Sequence, residues 1–401
     1  MTSRIKYLVV SSSTCLTVFL LAGSVFGQGA SQDDTLKHIG VFSEVVGYIE
    51  KQYVTEPDMK SVTLGALDGM LEAIDPFASY LNADQYRDYL KNKDVKRPDV
   101  GLVLAKRYGM IVVVDAIPGS PAANAGFSTG DMIESIKGVA TRDMPLAYAN
   151  MLMQGDAASE VEMSVVRARH PEPQTVKLMR ANVVLPSIES KMISSDVGYI
   201  NVNSLSAGHL KEVTEAVKQL QKNGAKKLVL DVRYCGVGTP EEGIAFANMF
   251  LKSGRITYLK GQRVPQQNFD ADPAKDITDL PVAVLTNQGT ADGAEIAAAA
   301  LLGNKRAQVI GERTYGDAAQ RKAITMDDGS AIILSVAKYY SLDGKAIQDT
   351  GVTPGTLVAD AEAAVNYDEN GEPIPEAQPK QTQPKKLEDD PVVKKALEIL
   401  G

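Results

Sequence analysis

Asp292 and Asp317 are the residues of this chain whose side chains raise the sharpest chemical question. They stand 25 residues apart, with Arg321 four residues beyond the second. Two carboxylates can divide acid and base roles when their surroundings separate their pKa values, but no other residue type here supports such a site. Two carboxylates are too few for a metal, and His38, His170 and His209 show no ligand spacing, so neither a metal nor a cofactor is expected. Cys235 is a second candidate nucleophile. It would need a positioned base, for which His209, following a different strand, is the candidate; a free buried thiol is the structural alternative. Hydroxyl chemistry is poorly supplied. No serine occurs between Ser253 and Ser330, and the nearest hydroxyls are Thr286, Thr290 and Thr314. No lysine is evidently placed to activate Thr290. Asp292 also has a structural reading, because Thr290-Ala291-Asp292-Gly293-Ala294-Glu295 puts Asp at a helix N-cap and Glu three residues on, a capping box.

The elements that must carry these residues read as α/β from Gly198 onward. Gly198–Asn203 is a strand, and Leu210, Val213, Val217 and Leu220 mark a helix ending at Gly224. Leu228–Leu230 and Pro281–Thr286 are apolar runs suited to strands buried on both faces. A helix through Ile244, Ala247 and Phe250 lies between them, and an Ala-rich helix starts at Asp292. Gln308–Ile310 and Ala331–Ala337 are expected to complete the same sheet. Upstream, Leu36, Ile39, Phe42, Val46, Ile49 and Tyr53 recur at helical spacing, Pro57 breaks the pattern, and further helices run through Leu64–Leu71 and Ala83–Leu90, joined by a turn over Asp75–Leu81. Between these parts, residues 98–182 form a small β-rich module with strands at Met110–Val114, Val161–Val166 and Thr175–Met179, and with His170-Pro171 in a turn. At the far end, 367–389 is a linker rich in Pro, Gln, Glu and Lys. Asp390-Pro391 then caps an amphipathic helix, Val392–Leu400, which docks on its own domain or on a second subunit.

Composition narrows the partners. Of 401 residues 44% are hydrophobic, as in ordinary globular chains, and the formal net charge is −8. No basic stripe with interleaved aromatics is present, so nucleic acid is not an expected partner. Arg4 and Lys6, the mostly apolar run Tyr7–Ala22 and the small residues around Gly23–Ala30 form an export-signal pattern. Cleavage after Gly27 or Ala30 is expected, with an uncleaved anchor as the alternative; removing residues 1–27 takes the charge to −10. Only Cys235 would then remain, too few for an internal disulfide. The expected location is the periplasm or cell envelope.

Several of these stretches together resemble the C-terminal processing (tail-specific) peptidases. Asp75-Pro76-Phe77-Ala78-Ser79-Tyr80-Leu81, Pro281–Asp317, Tyr339–Gln348 and Gly351-Val352-Thr353-Pro354 lie in the family's order. Met110–Val114, then Pro118-Gly119-Ser120-Pro121-Ala122-Ala123-Asn124-Ala125-Gly126 and Gly130-Asp131-Met132-Ile133, resemble a PDZ domain. The resemblance implies a ClpP/crotonase-like α/β peptidase core with an inserted PDZ domain and an N-terminal helical segment, an α+β multi-domain chain. Its expected parts are a signal peptide (1–27), a helical segment (35–97), a PDZ domain (98–182), a peptidase-like core (183–366), a linker (367–389) and a C-terminal helix (390–401).

The same resemblance implies a serine/lysine dyad, and in its register the serine position is Asp292, the lysine position Asp317, and the glutamine that orients the lysine Arg321. A carboxylate cannot replace a serine hydroxyl, nor an aspartate a lysine base. The family's oxyanion turn, Arg-Asn-Asn-Pro-Gly-Gly, is here Arg233-Tyr234-Cys235-Gly236-Val237-Gly238, with Gly293 following the serine position. An Asp292–Arg321–Asp317 ionic cluster is expected in place of the dyad. The PDZ likeness implies binding of polypeptide C-termini on Gly101-Leu102-Val103-Leu104. The leading expectation is therefore a catalytically inactive homologue that binds C-termini or partner proteins and regulates an active peptidase, as a homo-oligomer or beside an active relative; the alternative is an active serine-type endopeptidase processing protein C-termini.

Overall fold

A computed structural model describes residues 36–93, 95–107, 109–167, 170–206, 208–359 and 387–401. The expected signal peptide and most of the expected linker lie outside the described residues. The chain divides into two units, Met1–Ala66 and Leu67–Gly401. The first contains a helix over 36–52, whose stripe residues Leu36, Ile39 and Phe42 remain exposed, and the start of the helix Met59–Glu72.

The second unit is built on a six-stranded sheet. Its strands run in the order Thr356–Leu357, Ala307–Gly311, Val282–Thr286, Lys227–Asp231, Val197–Asn201 and Glu189–Met192. All neighbours are parallel except the last, which is antiparallel. Every residue of Val282–Thr286 is buried, because both faces of this sheet are covered. Leu228, Leu230, Val282 and Val284 face a core completed by Val213 and Val217 of the helix His209–Lys222, Phe246 of Pro240–Asn248 and Ile296 of Gly293–Gly303. The alternate residues Val229, Ala283 and Leu285 face Val392, Val393 and Ala396 of the helix Pro391–Leu400.

The C-terminal helix thus docks on its own sheet. Asp390 caps it by accepting from the amides of Val392 (2.8 Å) and Val393 (3.1 Å), and reaches Arg233 at 2.7 Å. Each fully buried valine contributes about 1.5–3 kcal/mol to this docking.

Ala331–Tyr340 does not complete the core sheet, contrary to expectation. It pairs antiparallel with Ser79–Leu81, Arg255–Lys260 and Ala319–Thr325 in a separate five-stranded sheet. Its burial is interrupted along its length, which suits a sheet packed on one side better than a central parallel strand. Ser79–Leu81 is accordingly a short strand rather than part of a turn.

The PDZ-like sheet has the order Leu102–Arg107, Met110–Ala116, Met132–Ile136, Glu160–Arg167 and His170–Met179, all antiparallel. His170 and Pro171 lie in the last strand, not in the turn before it.

Candidate functional site

The site forms where three adjacent parallel strands end, the usual place for a site in an α/β sheet. The loops leaving Lys227–Asp231, Val282–Thr286 and Ala307–Gly311 are fastened to one another by polar bonds. The Asn287 side chain accepts from the amides of Tyr234 (3.1 Å) and Gly289 (3.0 Å). The Thr290 hydroxyl donates to the Val232 carbonyl at 2.8 Å, and the Thr290 carbonyl accepts from the Tyr315 amide at 2.9 Å. Ala291 donates its amide to the Cys235 carbonyl at 3.1 Å.

These ties force a sharp turn at Asp292, which has φ 48° and ψ −116°, a rare conformation for a residue with a side chain. The helix Gly293–Gly303 starts there and crosses the helix Pro240–Asn248 without side chains at the contact: a Cβ on Gly243 would lie 2.0 Å from the Gly293 carbonyl oxygen, and one on Gly293 2.3 Å from that of Thr239. Two glycines therefore set how deep the turn sits.

Glu295 holds the turn from behind. It is fully buried. Its Oε2 accepts from the amides of Asp292 (3.0 Å) and Asp317 (2.7 Å), and its Oε1 from the Gly316 amide (2.6 Å) and the Thr314 hydroxyl. Burial pushes this carboxyl up to about 7, and the donors from Asp317, Thr314 and Gly316 pull against that rise. The capping box predicted from sequence is thus firm on the Glu295 side. The returning half is loose: the Asp292 side chain makes no cap hydrogen bond of ordinary geometry, and its Oδ1 is buried without a partner. What sequence reasoning missed is that Glu295 also gathers the loop carrying Asp317, some twenty residues downstream.

Asp292, Asp317 and Arg321 come together as an electrostatic cluster. Arg321 forms an ion pair with Asp317 directly. It acts on Asp292 through space rather than through a hydrogen bond. Burial is the main force pushing the Asp292 carboxyl far above the ordinary carboxylate range, with Asp317 raising it further and Arg321 opposing. Asp317 is also raised by burial, again opposed by Arg321. The Arg321 guanidinium lies 4.5 Å from the centre of the Phe77 ring.

The oxyanion-turn residues sit beside this cluster. The Gly293 amide donates to the Gly238 carbonyl at 3.4 Å, and the Val237 carbonyl accepts from Leu205 at 2.8 Å. Gly236 packs against the PDZ-like module. Cys235 is fully buried, which pushes its thiol well above the ordinary range. The His209 Nδ1 is taken by the hydroxyls of Ser204 and, at 3.1 Å, Ser206, and the charges that act on the Cys235 thiol are those of Asp115 and Asp231.

The expected peptide-binding residues lie on the edge strand Leu102–Arg107, which pairs with Met110–Ala116. Leu102 and Leu104 are buried with Leu146, Ala149 and Met153, and Gly101, with φ 82°, immediately precedes the strand. The same apolar cluster takes in Ala291 and Tyr315, so the module closes over the turn. Arg107 strengthens this seal by donating to the Tyr315 carbonyl at 2.9 Å while lying 4.2 Å from the ring centre. Among the described residues no group of three or more His, Cys, Asp or Glu is arranged to hold a metal, and no helix is long and apolar enough to cross a membrane.

Comparison with known proteins agrees with this architecture. The pattern of peptidase family S41 matches residues 196–358, and that of the PDZ domain residues 112–167. The carboxy-terminal processing protease CtpA of Bacillus subtilis is 29% identical over 345 residues, covering 85% of this chain and 73% of that protein. A carboxyl-terminal-processing protease of Synechocystis sp. is 31% identical over 318 residues, covering 77% of this chain and 74% of that one. The solved photosystem II D1 C-terminal processing protease superposes with a TM-score of 0.67 at 25% identity, over 82% of this chain and 89% of that chain. The chain belongs to peptidase family S41, among the carboxyl-terminal-processing proteases.

Proposed function

We propose that this chain is a catalytically inactive member of its family, which binds polypeptide C-termini or partner proteins through its PDZ module and regulates an active relative. One observation carries the reading: the side chain at the turn, Asp292, is a buried carboxyl acted on by an Asp317–Arg321 ion pair, so that the two positions the resemblance assigns to a serine and a lysine both hold carboxyls. The Gly293 amide supports it, since its bond to the Gly238 carbonyl leaves it poorly placed to receive a developing oxyanion. In this reading the protein is exported to a periplasm or cell envelope, as its N-terminal pattern suggests, and assembles with itself or with the relative.

The alternative, an active endopeptidase that processes protein C-termini, takes its support from the names of the relatives. It would have to recruit a threonine, and all three candidates are engaged elsewhere. Thr286 donates to the Glu312 carbonyl, Thr290 to that of Val232, and Thr314 to Glu295.

The test is degradation of an unfolded protein substrate by the purified chain, beside the double variant Asp292→Ser, Asp317→Lys. An inert natural protein is expected. Cleavage that disappears in Asp292→Ala would overturn the proposal.

A further inference from the structure

Asp115 is a carboxylate in the wrong place for a stable contact. It is the penultimate residue of the PDZ strand Met110–Ala116, is only 4% exposed, and its Oδ2 has no hydrogen-bond partner. It lies against Gly236, in the loop that leaves the core strand Lys227–Asp231. A Cβ on Gly236 would stand 3.0 Å from the Asp115 Cβ and 3.4 Å from Val103 Cγ1. The resemblance set out above puts a proline at this position, which would have no amide hydrogen and a ring in that space. The glycine thus permits the close seat and presents an amide to the carboxyl.

Among the described residues no cation balances the charge. The loop contributes the neutral, buried Cys235, and behind it Asp231, which is bound by Arg233 and Tyr199. Arg233 is engaged by Asp231 and Asp390. The neighbouring PDZ strand contributes Val103, and Thr129 spends its hydroxyl on the Val114 carbonyl. A buried carboxylate without a cation must take up a proton or regain water.

We infer that Asp115 is a proton-operated latch between the PDZ module and the loop 233–238: when protonated it lets the module seat on Gly236, and when ionised it loosens that seat. Such a device would let ambient pH set how readily the PDZ module lifts from the core. The inference does not rest on the loss of catalysis, since it concerns a contact outside the Asp292 cluster.

The sign follows from linkage. Burial raises Asp115 from 3.8 to about 7 in the seated form, with only the amides of Ala116 and Gly236 pulling it back. A lifted, solvated Asp115 keeps its ordinary value. Seating is therefore complete at low pH, weakens about tenfold per pH unit between roughly 4 and 7, and is level above that.

Hydrogen exchange on the full chain, corrected for intrinsic rates, tests this. Opening of the amides in 100–105 and 234–238 should rise about fiftyfold from pH 5 to 7, while the helix His209–Lys222 stays flat. In Asp115→Asn the rise should vanish. A flat profile in the natural protein, an equal rise in the reporter helix, or an unchanged rise in Asp115→Asn would each overturn the latch. The first two outcomes need no variant, so the test stands even if Asp115→Asn folds poorly.

Discussion

Replacing Arg321 by methionine probes the cluster at its single cation. Methionine keeps an unbranched apolar stem against Phe77, so the change removes charge with little loss of packing. Removing one partner of a buried ion pair costs about 3–5 kcal/mol. Here the side chains of Arg321 and Asp317 keep 26% and 19% of their exposure, so water relieves part of the penalty and the lower end, about 3 kcal/mol, applies. The loss should also depend on pH. Asp317 and Asp292 are both held above the ordinary carboxylate range, and loss of Arg321 lifts them further. Toward lower pH they take up protons and the variant's loss shrinks. As pH rises through the raised values, the native state must ionise against its own field and the loss grows. Urea unfolding of both proteins at pH 5 and pH 8 measures it, followed by a signal from the core. Adding Asp317→Asn to Arg321→Met should restore most of the stability at pH 8. A loss below about 1 kcal/mol at pH 8, or an equal loss at both pH values, would refute the view that Arg321 neutralises buried carboxylates.

Two further outcomes follow from the same geometry. Asp292→Asn should raise stability at pH 8 by about 1–2 kcal/mol, because it removes a charge held where one oxygen has no partner; because burial raises this carboxyl, the gain should shrink as pH falls toward 5, and thermal unfolding at the two pH values reads both. Asp390→Ala should cost about 2–3 kcal/mol of docking for the helix Pro391–Leu400, from a lost cap and a lost bond to Arg233. Hydrogen exchange within 391–400 would report this, and unchanged protection there would count against a capping role.

The core sheet was legible because its strands carry unbroken apolar runs. Leu228–Leu230 and Val282–Thr286 could hardly lie anywhere but between two covered faces. Ala331–Tyr340 misled for the same reason: Ile332, Leu334 and Val336 are apolar yet only half-buried, so its hydropathy does not reveal that one side is open. Its pairing with Ser79–Leu81 spans some 250 residues, and no local pattern announces such a partner. At the site, the nearness of Asp317 and Arg321 could be read from register, whereas the hub at Glu295 could not, because three of its four donors belong to a distant loop. Asp115 escaped notice because it follows an apolar run and looks like the solvent-facing end of a strand.

The geometry of the turn does not depend on the side chain it presents. Asp292 keeps φ 48° although its carboxyl contributes no cap bond of ordinary geometry. The conformation is imposed instead by Asn287, Thr290, Glu295 and the Gly243–Gly293 crossing, which bond or pack through groups other than the Asp292 side chain. Such a scaffold tolerates a changed residue at the turn, because the strain is held by the surrounding network. It also explains why a buried carboxylate can persist there: Arg321 offsets Asp317, and Asp292 can hold a proton, so the fold never has to bury three bare charges together. The apolar cluster that joins the PDZ-like module to Tyr315 and Ala291 is likewise built without the side chains of Asp292 and Asp317. On the function proposed above, the residues at these two positions can therefore differ while the seat of the module is kept.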